Sequence, residues 1–262
     1  MLKSSTSIRE ISKAPLDFIE LNLDGKRLKA VNPAIKSCLN LEILSLQNNK
    51  IASLPEWIGA LPNLKELYLN GNELTVLPEA IGALSNLKIL SMGGNPITKL
   101  PDTIGNLENL VQLKVDDGQL ATIPNAMVNL VHLKSLDLFR NPIRSFLEDV
   151  SSLTKLTSLN VSQTQLKVFP ESICALESLE ELAISSQGIT SIPEAIKNLS
   201  HLSRLVLSGS PIVSFPEGFT KLTKLQELSI YATKIPVETA KALFNEMPNL
   251  TRLEHPDCYL SR

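Results

Sequence analysis

The sequence holds little of what usually announces a chemistry. Its three cysteines, Cys38, Cys174 and Cys258, are odd in number and share no paired spacing, which argues against a disulfide framework and for a reducing compartment. Aromatic residues make up only 4% of the chain, so any that face solvent stand out. The formal net charge is −2 and no Lys/Arg run occurs, which removes the footprint that a phosphate backbone needs and argues against nucleic acid as a partner. Polar residues interrupt every apolar stretch well short of the roughly 18 residues of a spanning helix. Met1 to Lys13 mixes Lys3 and Arg9 with serines and has no hydrophobic core of the roughly seven residues a signal peptide requires. A cytoplasmic chain is expected, the alternative being signal-peptide-independent secretion or a leader already removed.

What the sequence does have is a period. Ten consecutive units of 23 residues start at Pro15, Cys38, Leu61, Leu84, Leu107, Leu130, Leu153, Leu176, Leu199 and Leu222. Units 61–83 and 84–106 share the frame L-x-x-L-x-x-L-x-L/M-x-x-N-x-L/I-x-x-L-P-x-x-I-G-x. A fixed period of this length is the mark of a solenoid, in which no unit can bury its own apolar face and each depends on its neighbours. Within 61–83, Leu67, Tyr68 and Leu69 alternate as a short strand with one buried face. Asn72 marks the turn after that strand, where an amide side chain can satisfy buried backbone groups. Leu74, Leu77 and Ile81 return to the core from an outer arm that Pro78 starts and Gly82 relaxes.

The expected fold is therefore α/β: a curved, horseshoe-like solenoid. It has a parallel sheet of about ten or eleven short strands on its concave face, and its outer arms are irregular, 3₁₀ or short helical. Residues 1–14 are expected to cap the first strand as a short lid, since an open edge invites pairing with another chain. The solenoid proper runs over 15–253 as one domain, and 254–262 is a terminal tail. Pro236 followed by Val237, Ala240, Leu243 and Phe244 predicts a true helix in the last arm.

The irregular units carry their own expectations. The turn asparagine is present at Asn49, Asn72, Asn95 and Asn141, while Lys26, Gly118, Thr164, Gln187, Ser210 and Thr233 hold the slot elsewhere. Ser and Thr hydroxyls can take over part of its bonding and Gly118 cannot, which predicts a looser, mobile turn there. In 130–152 the Leu-Pro pair becomes Phe146-Leu147, which predicts a longer helical turn up to Val150.

The motifs Leu54-Pro55-Glu56-Trp57-Ile58, Leu77-Pro78-Glu79-Ala80-Ile81, Leu100-Pro101-Asp102-Thr103-Ile104 and Ile192-Pro193-Glu194-Ala195-Ile196 resemble the leucine-rich repeat proteins, specifically the 23-residue subclass with L-P-x-x-I in its outer arm. That subclass is similar to the plant intracellular Ras-group proteins, the animal Ras-pathway scaffold of the same repeat type, and many bacterial proteins. The resemblance covers about residues 15 to 253. It implies a protein-binding scaffold, with a small GTPase or a phosphatase among the partners, and no cofactor. The frame residues that identify the family are buried, so they do not name the partner.

Partner-reading residues are expected on the concave row of outward strand positions, such as Glu66 and Tyr68, Gln112 and Lys114, Ser135 and Asp137, with a third slot at each strand end. Aromatics and Arg dominate interface energetics. On that ground Tyr68, Phe139, Arg140 and Tyr231 stand out, and Lys114, Asp116, Asp117 and Asp137 form a mixed-charge rim around Phe139 and Arg140. The stretch Ser158 to Ser186, rich in Ser and Gln, suits a hydrogen-bonded peptide or sugar, or is a solvated face.

No catalytic, cofactor or metal residues are expected. The phosphate-loop, H-E-x-x-H and G-x-S-x-G signatures are all missing, and Gly71, Gly82, Gly94 and Gly105 fall at repeat positions. His132 and His201 share a repeat slot but lie three units apart, about 14 Å along the stack, too far for one metal ion. Cys258 follows Asp257 with no base assigned to it. The sequons at Asn160, Asn198 and Asn249 are what Asn-, Leu- and Ser-rich repeats produce by chance. Two functions from different classes remain: a monomeric intracellular scaffold binding a folded protein, and a secreted or surface-exposed bacterial recognition protein or effector binding host proteins or glycans.

Overall fold

The computed structural model describes residues 3–262; Met1 and Leu2, which open the expected capping segment, lie outside the described residues. The chain forms two compact units, Met1–Leu133 and Lys134–Arg262. Eleven strands belong to the repeat, in agreement with the expected ten or eleven, and one further strand is added at each end of the chain.

The first unit begins with β1 (Lys3–Ser5) and the single-turn α1 (Ile8–Ile11). Its repeat strands are β2 (Phe18–Asn22), β3 (Ile43–Ser45), β4 (Glu66–Tyr68), β5 (Ile89–Ser91) and β6 (Gln112–Lys114). All neighbours pair in parallel, with Leu21, Leu44, Leu67, Leu90 and Leu113 in register across β2 to β6. These five leucines are fully buried. The identical period of each unit places the same slot at the same height, so one aliphatic ladder becomes one core. Residues 3–14 pack on the first repeat strand. β1 pairs in parallel with β2, and Ile11 of α1 is fully buried. Ser5 Oγ donates to Glu10 Oε2 at 2.6 Å and ties β1 to α1.

The second unit contains β7 (Ser135–Asp137), β8 (Ser158–Asn160), β9 (Glu181–Ala183), β10 (Arg204–Val206), β11 (Glu227–Ser229), the helix α2 (Val237–Glu246), β12 (Arg252–His255) and β13 (Cys258–Ser261). Leu136, Leu159, Leu182, Leu205, Leu228 and Leu253 form the buried ladder of this unit in parallel register. The predicted helix is α2, which buries Ala240, Leu243 and Phe244. Where a terminal tail was expected, the chain turns at Pro256 and Asp257 and returns as β13, antiparallel to β12. Arg262 holds that return: its guanidinium lies 4.3 Å from the centroid of the Phe244 ring and donates to the carbonyls of Phe244, Met247 and Pro248.

The outer arms show why the frame reads L-P-x-x-I-G. In each regular arm the proline sits just before a short 3₁₀ turn, its φ held near the value that turn needs, and its carbonyl accepts the N–H of the frame isoleucine. Ile81 N–H donates to Pro78 O at 3.1 Å, and Ile104 N–H to Pro101 O at 3.1 Å. The glycine has a different role from the expected one of relaxing the backbone. Gly59, Gly82 and Gly105 lie where the next arm presses in. A Cβ at these positions would come within 2.3 Å of Ala80 O, 2.4 Å of Thr103 O and 2.4 Å of Ala126 O respectively. The glycine is there for close approach between arms.

The arm without proline is not helical. No helix lies between β7 and β8, and Phe146, Leu147 and Val150 are buried by an irregular segment. Without the proline no 3₁₀ turn is started. Asp149 Oδ1 then accepts the N–H of Ser151 at 2.9 Å, a local turn that competes with helix formation.

Candidate functional site

Two hydrogen-bonded ladders hold the strand-bearing face in place. The first is the asparagine ladder. Asn72 Nδ2 donates to Leu69 O and Leu46 O, both at 2.9 Å, and its Oδ1 accepts from Ile51 N–H at 3.1 Å; Asn49 and Asn95 repeat the pattern. Gly118 breaks it by offering no acceptor, and Ile97 N–H turns instead to Asn95 O within its own unit at 2.8 Å. In the second unit hydroxyls substitute, as expected. Thr164 Oγ1 donates to Val161 O and Thr233 Oγ1 to Ile230 O. At the next slot the work passes to the residue before Gln187. Ser186 Oγ donates to Leu166 O at 2.6 Å, while the Gln187 side chain is exposed and bonds Gly209 O.

The second ladder occupies another fixed slot of the period, one that sequence reasoning missed. Asn40, Asn63, Asn86 and Asn109 each donate a side-chain N–H to a carbonyl in the preceding unit, at 2.7 to 2.9 Å. His132 and His201 hold the same slot, with Nδ1 3.1 Å from Glu108 O and from Glu177 O. Since a carbonyl can only accept, each imidazole carries its proton on Nδ1 and stands in for the asparagine amide. That is the role of these two histidines.

This frame positions the site residues. In the first unit, Tyr68 on β4 is half-buried. Its hydroxyl donates to Glu66 Oε2 at 2.7 Å. Burial together with the Glu66 carboxylate pushes its phenol up to about 12. Lys114 ends β6. Asp116 comes next in the third slot and its carboxylate occupies the space above Gly93, where a Cβ would lie 2.3 Å from Asp116 Oδ1. The third-slot residues of the earlier strands form a polar chain. Asp24 Oδ1 accepts from Ser45 Oγ and Gln47 N–H, and Asn70 Oδ1 from Ser91 Oγ and Gly93 N–H. Ser45 and Ser91 are buried under these partners.

In the second unit, Asp137 ends β7 and its Oδ1 accepts the N–H of Phe139 at 3.1 Å. The Arg140 guanidinium lies 5.1 Å from the centroid of the Phe139 ring, and its Nε donates to Gln163 Oε1 at 3.1 Å. Arg140 has φ +53°, in the slot where Gly71 and Gly94 have +65° and +67°. The turn before the ladder asparagine requires the left-handed region, which costs a non-glycine residue on the order of 1 kcal/mol. Asn48, Asp117, Gln163 and Ala232 hold the same slot at φ +51° to +56°, so the left-handed turn belongs to the repeat and not to Arg140 alone. The structure thus groups Asp137, Phe139 and Arg140 in the second unit and Lys114 with Asp116 in the first. Tyr231, 60% exposed, lies at the far end of the second unit beside the β12–β13 turn.

Toward that end the face is charged. Glu227 Oε2 is 3.3 Å from Arg204 Nε and its Oε1 is 2.9 Å from Arg252 Nη1, a three-membered row across β10, β11 and β12. One buried hydroxyl on the Ser-rich stretch, Ser162 Oγ, is the only buried side-chain polar atom without a hydrogen-bond partner among the described residues. Two cysteines belong to the core: burial, aided by Glu171, pushes the Cys174 thiol up to about 12, and burial raises Cys38. Among the described residues no helix is long and apolar enough to cross a membrane.

Comparison with known proteins agrees with this architecture. The family model described as "Leucine-rich repeat region" matches residues 26–163 and 144–261. No curated protein matches the chain significantly. Among solved structures, a leucine-rich repeat protein of Leptospira interrogans is 24% identical over 97% of this chain and 88% of its own, with a TM-score of 0.55. PEPR1 in complex with AtPEP1 is 24% identical over 96% of this chain and 36% of its own, with a TM-score of 0.76. TLR13 in complex with ssRNA13 is 26% identical over 97% of this chain and 38% of its own, with a TM-score of 0.78. The present chain thus spans little more than a third of the length of PEPR1 or TLR13. The stacked parallel strands, the asparagine ladder and the proline-started 3₁₀ arms, taken with a family match that runs through nearly all the chain, place this protein in the leucine-rich repeat family.

Proposed function

We propose that this chain is a protein-binding module that reads one protein partner with the side chains of its strand-bearing face. The observation that carries the reading is the Phe139–Arg140 pair. The guanidinium lies 5.1 Å from the centroid of the ring, and both side chains lie outside the core. Aromatic and arginine side chains are also the residues that most often anchor interfaces. No catalytic step is proposed. The reading includes a reducing compartment, supported by cysteines that are all free, two of them in the core. A small GTPase or a phosphatase is the partner class that the family resemblance favours.

The test is affinity capture of a partner with the intact chain, repeated with the double variant Phe139→Ala/Arg140→Ala. Unfolding of the double variant should match the parent, since neither side chain belongs to the core. Capture should fall at least about tenfold, equivalent to about 1.4 kcal/mol. Undiminished capture by a folded double variant contradicts the reading at this pair.

A further inference from the structure

The second unit carries a recognition feature that the repeat frame does not explain. Two of the three tyrosines of the chain, Tyr231 and Tyr259, are 60% and 59% exposed. Both line one open cleft of about 470 Å³, shared with Glu254, His255, Asp257 and Cys258. Tyr231 lies just beyond β11, and the other residues belong to the β12–β13 hairpin, so three neighbouring segments build the cleft.

Its charge has one sign. Glu254 and Asp257 are carboxylates, and no Lys or Arg is among the lining residues. The nearby arginines are committed elsewhere, Arg252 to Glu227 and Arg262 to the carbonyls around Phe244. His255 adds no positive charge. Its Nδ1 accepts the N–H of Asp257 at 3.1 Å, and its Nε2 lies 2.8 Å from Ile235 O. A backbone N–H can only donate and a carbonyl can only accept, which fixes the neutral tautomer with the proton on Nε2. Glu254 Oε2 accepts from Ser229 Oγ at 2.7 Å, and the Asp257 side chain is 74% exposed. An acceptor set of this kind in one cleft with two exposed phenol rings is complementary to a cation with a flat face.

We propose that this cleft takes an arginine side chain presented by the protein partner, with the guanidinium against Tyr231 and Tyr259 and its N–H groups donating to Glu254 and Asp257. Arginine fits better than lysine because the planar fork can stack on a ring and bond a carboxylate at the same time. This inference rests on the protein-binding reading above and names the chemistry of one contact within it.

The experiment titrates the full chain with blocked peptides of sequence Gly-Gly-Xaa-Gly-Gly, where Xaa is arginine, lysine or citrulline, and monitors the resonances of Tyr231, Tyr259 and the 254–258 backbone by NMR. Citrulline keeps the shape and removes the charge. Saturable shifts confined to these residues with the arginine peptide are expected, with affinity at least about tenfold weaker for citrulline. Tyr259→Ala and the carboxamide pair Glu254→Gln/Asp257→Asn should each weaken arginine binding about tenfold. The second variant keeps the shape of the hairpin if the first disturbs it. Equal binding of arginine and citrulline peptides, no shifts in the cleft at saturating peptide, or shifts spread over every acidic residue of the surface would overturn the proposal. A captured partner that is lost on Phe139→Ala/Arg140→Ala and retained by both cleft variants overturns the cleft alone. A partner retained by the Phe139/Arg140 variant and lost by the cleft variants does the reverse.

Discussion

Asn72 fastens one repeat to the one before it through Leu46: its Nδ2 donates to Leu46 O at 2.9 Å while its Oδ1 accepts Ile51 N–H at 3.1 Å. These backbone groups lie beneath the turns, out of reach of water, so truncating the amide leaves them unpaired. Asn72→Ala should cost about 2–4 kcal/mol, since each orphaned buried group costs about 1–3 kcal/mol. Asn63→Ala, which removes an exposed bond to Leu39 O, should cost less than about 1 kcal/mol. Urea unfolding of the two variants checks this, and equal losses would contradict it.

That contrast shows what is legible in the sequence. The 23-residue period, the buried leucines and the Asn72-type turn recur at fixed offsets, so a single pass along the chain finds them. The slot of Asn63 and His132 recurs just as regularly. It is silent in sequence because an exposed Asn does not announce that it donates across a turn. Gly82 is found by the period, but its cause is not: a glycine needed for backbone freedom and one needed for close approach look alike in sequence, and only the 2.4 Å at which an added Cβ would meet Thr103 O separates them. The 146–150 arm looks helical because a missing proline removes a helix breaker, whereas here the proline is what starts the turn. The hairpin of β12 and β13 and the cleft of Tyr259 lie beyond the last repeat, where the period has nothing to say. Among the site residues, Phe139 and Arg140 are visible as exposed chemistry, but the left-handed backbone of Arg140 needs coordinates.

The close approach at the arms gives its own prediction. Gly105→Ala puts a methyl group against the Ala126 carbonyl, a backbone atom that cannot swing aside. The loss should be about 1–3 kcal/mol, as for overpacked cores. Gly93→Ala instead meets the end of the Asp116 side chain, which can rotate away, so its cost should stay below about 1 kcal/mol. Thermal or urea unfolding that ranks the two in the opposite order would contradict the close-approach account.

Ser162 offers a change in the other direction. Its buried hydroxyl has no partner among the described residues, and an unpaired buried donor costs about 1–3 kcal/mol. Ser162→Ala should leave stability unchanged or raise it by up to about 1 kcal/mol. A loss greater than about 1 kcal/mol in urea unfolding would show that the hydroxyl is bonded after all.

Tyr68 predicts a pH dependence. Its phenol is pushed from 10.0 to about 12 by burial and by the hydrogen bond and charge of Glu66. The folded state therefore holds this proton more tightly than the unfolded chain. The contribution is intact below pH 10.0 and is lost as pH rises toward about 12. Absorbance titration of the folded protein should show one tyrosine ionising near pH 12, absent in Tyr68→Phe and shifted downward in Glu66→Gln. An unchanged titration in Tyr68→Phe would contradict the assignment.

The claim on which everything functional depends is that side chains on the strands and on the turns directly after them, and not the outer arms, meet the partner. The most direct measurement places a benzophenone amino acid at position 139, two residues after β7, and in a second protein at Val168, which is 70% exposed in the arm that leads to Pro170, and irradiates each with a captured partner. The account predicts a partner adduct from position 139 and none from position 168. Adducts from position 168 with none from position 139 would contradict it.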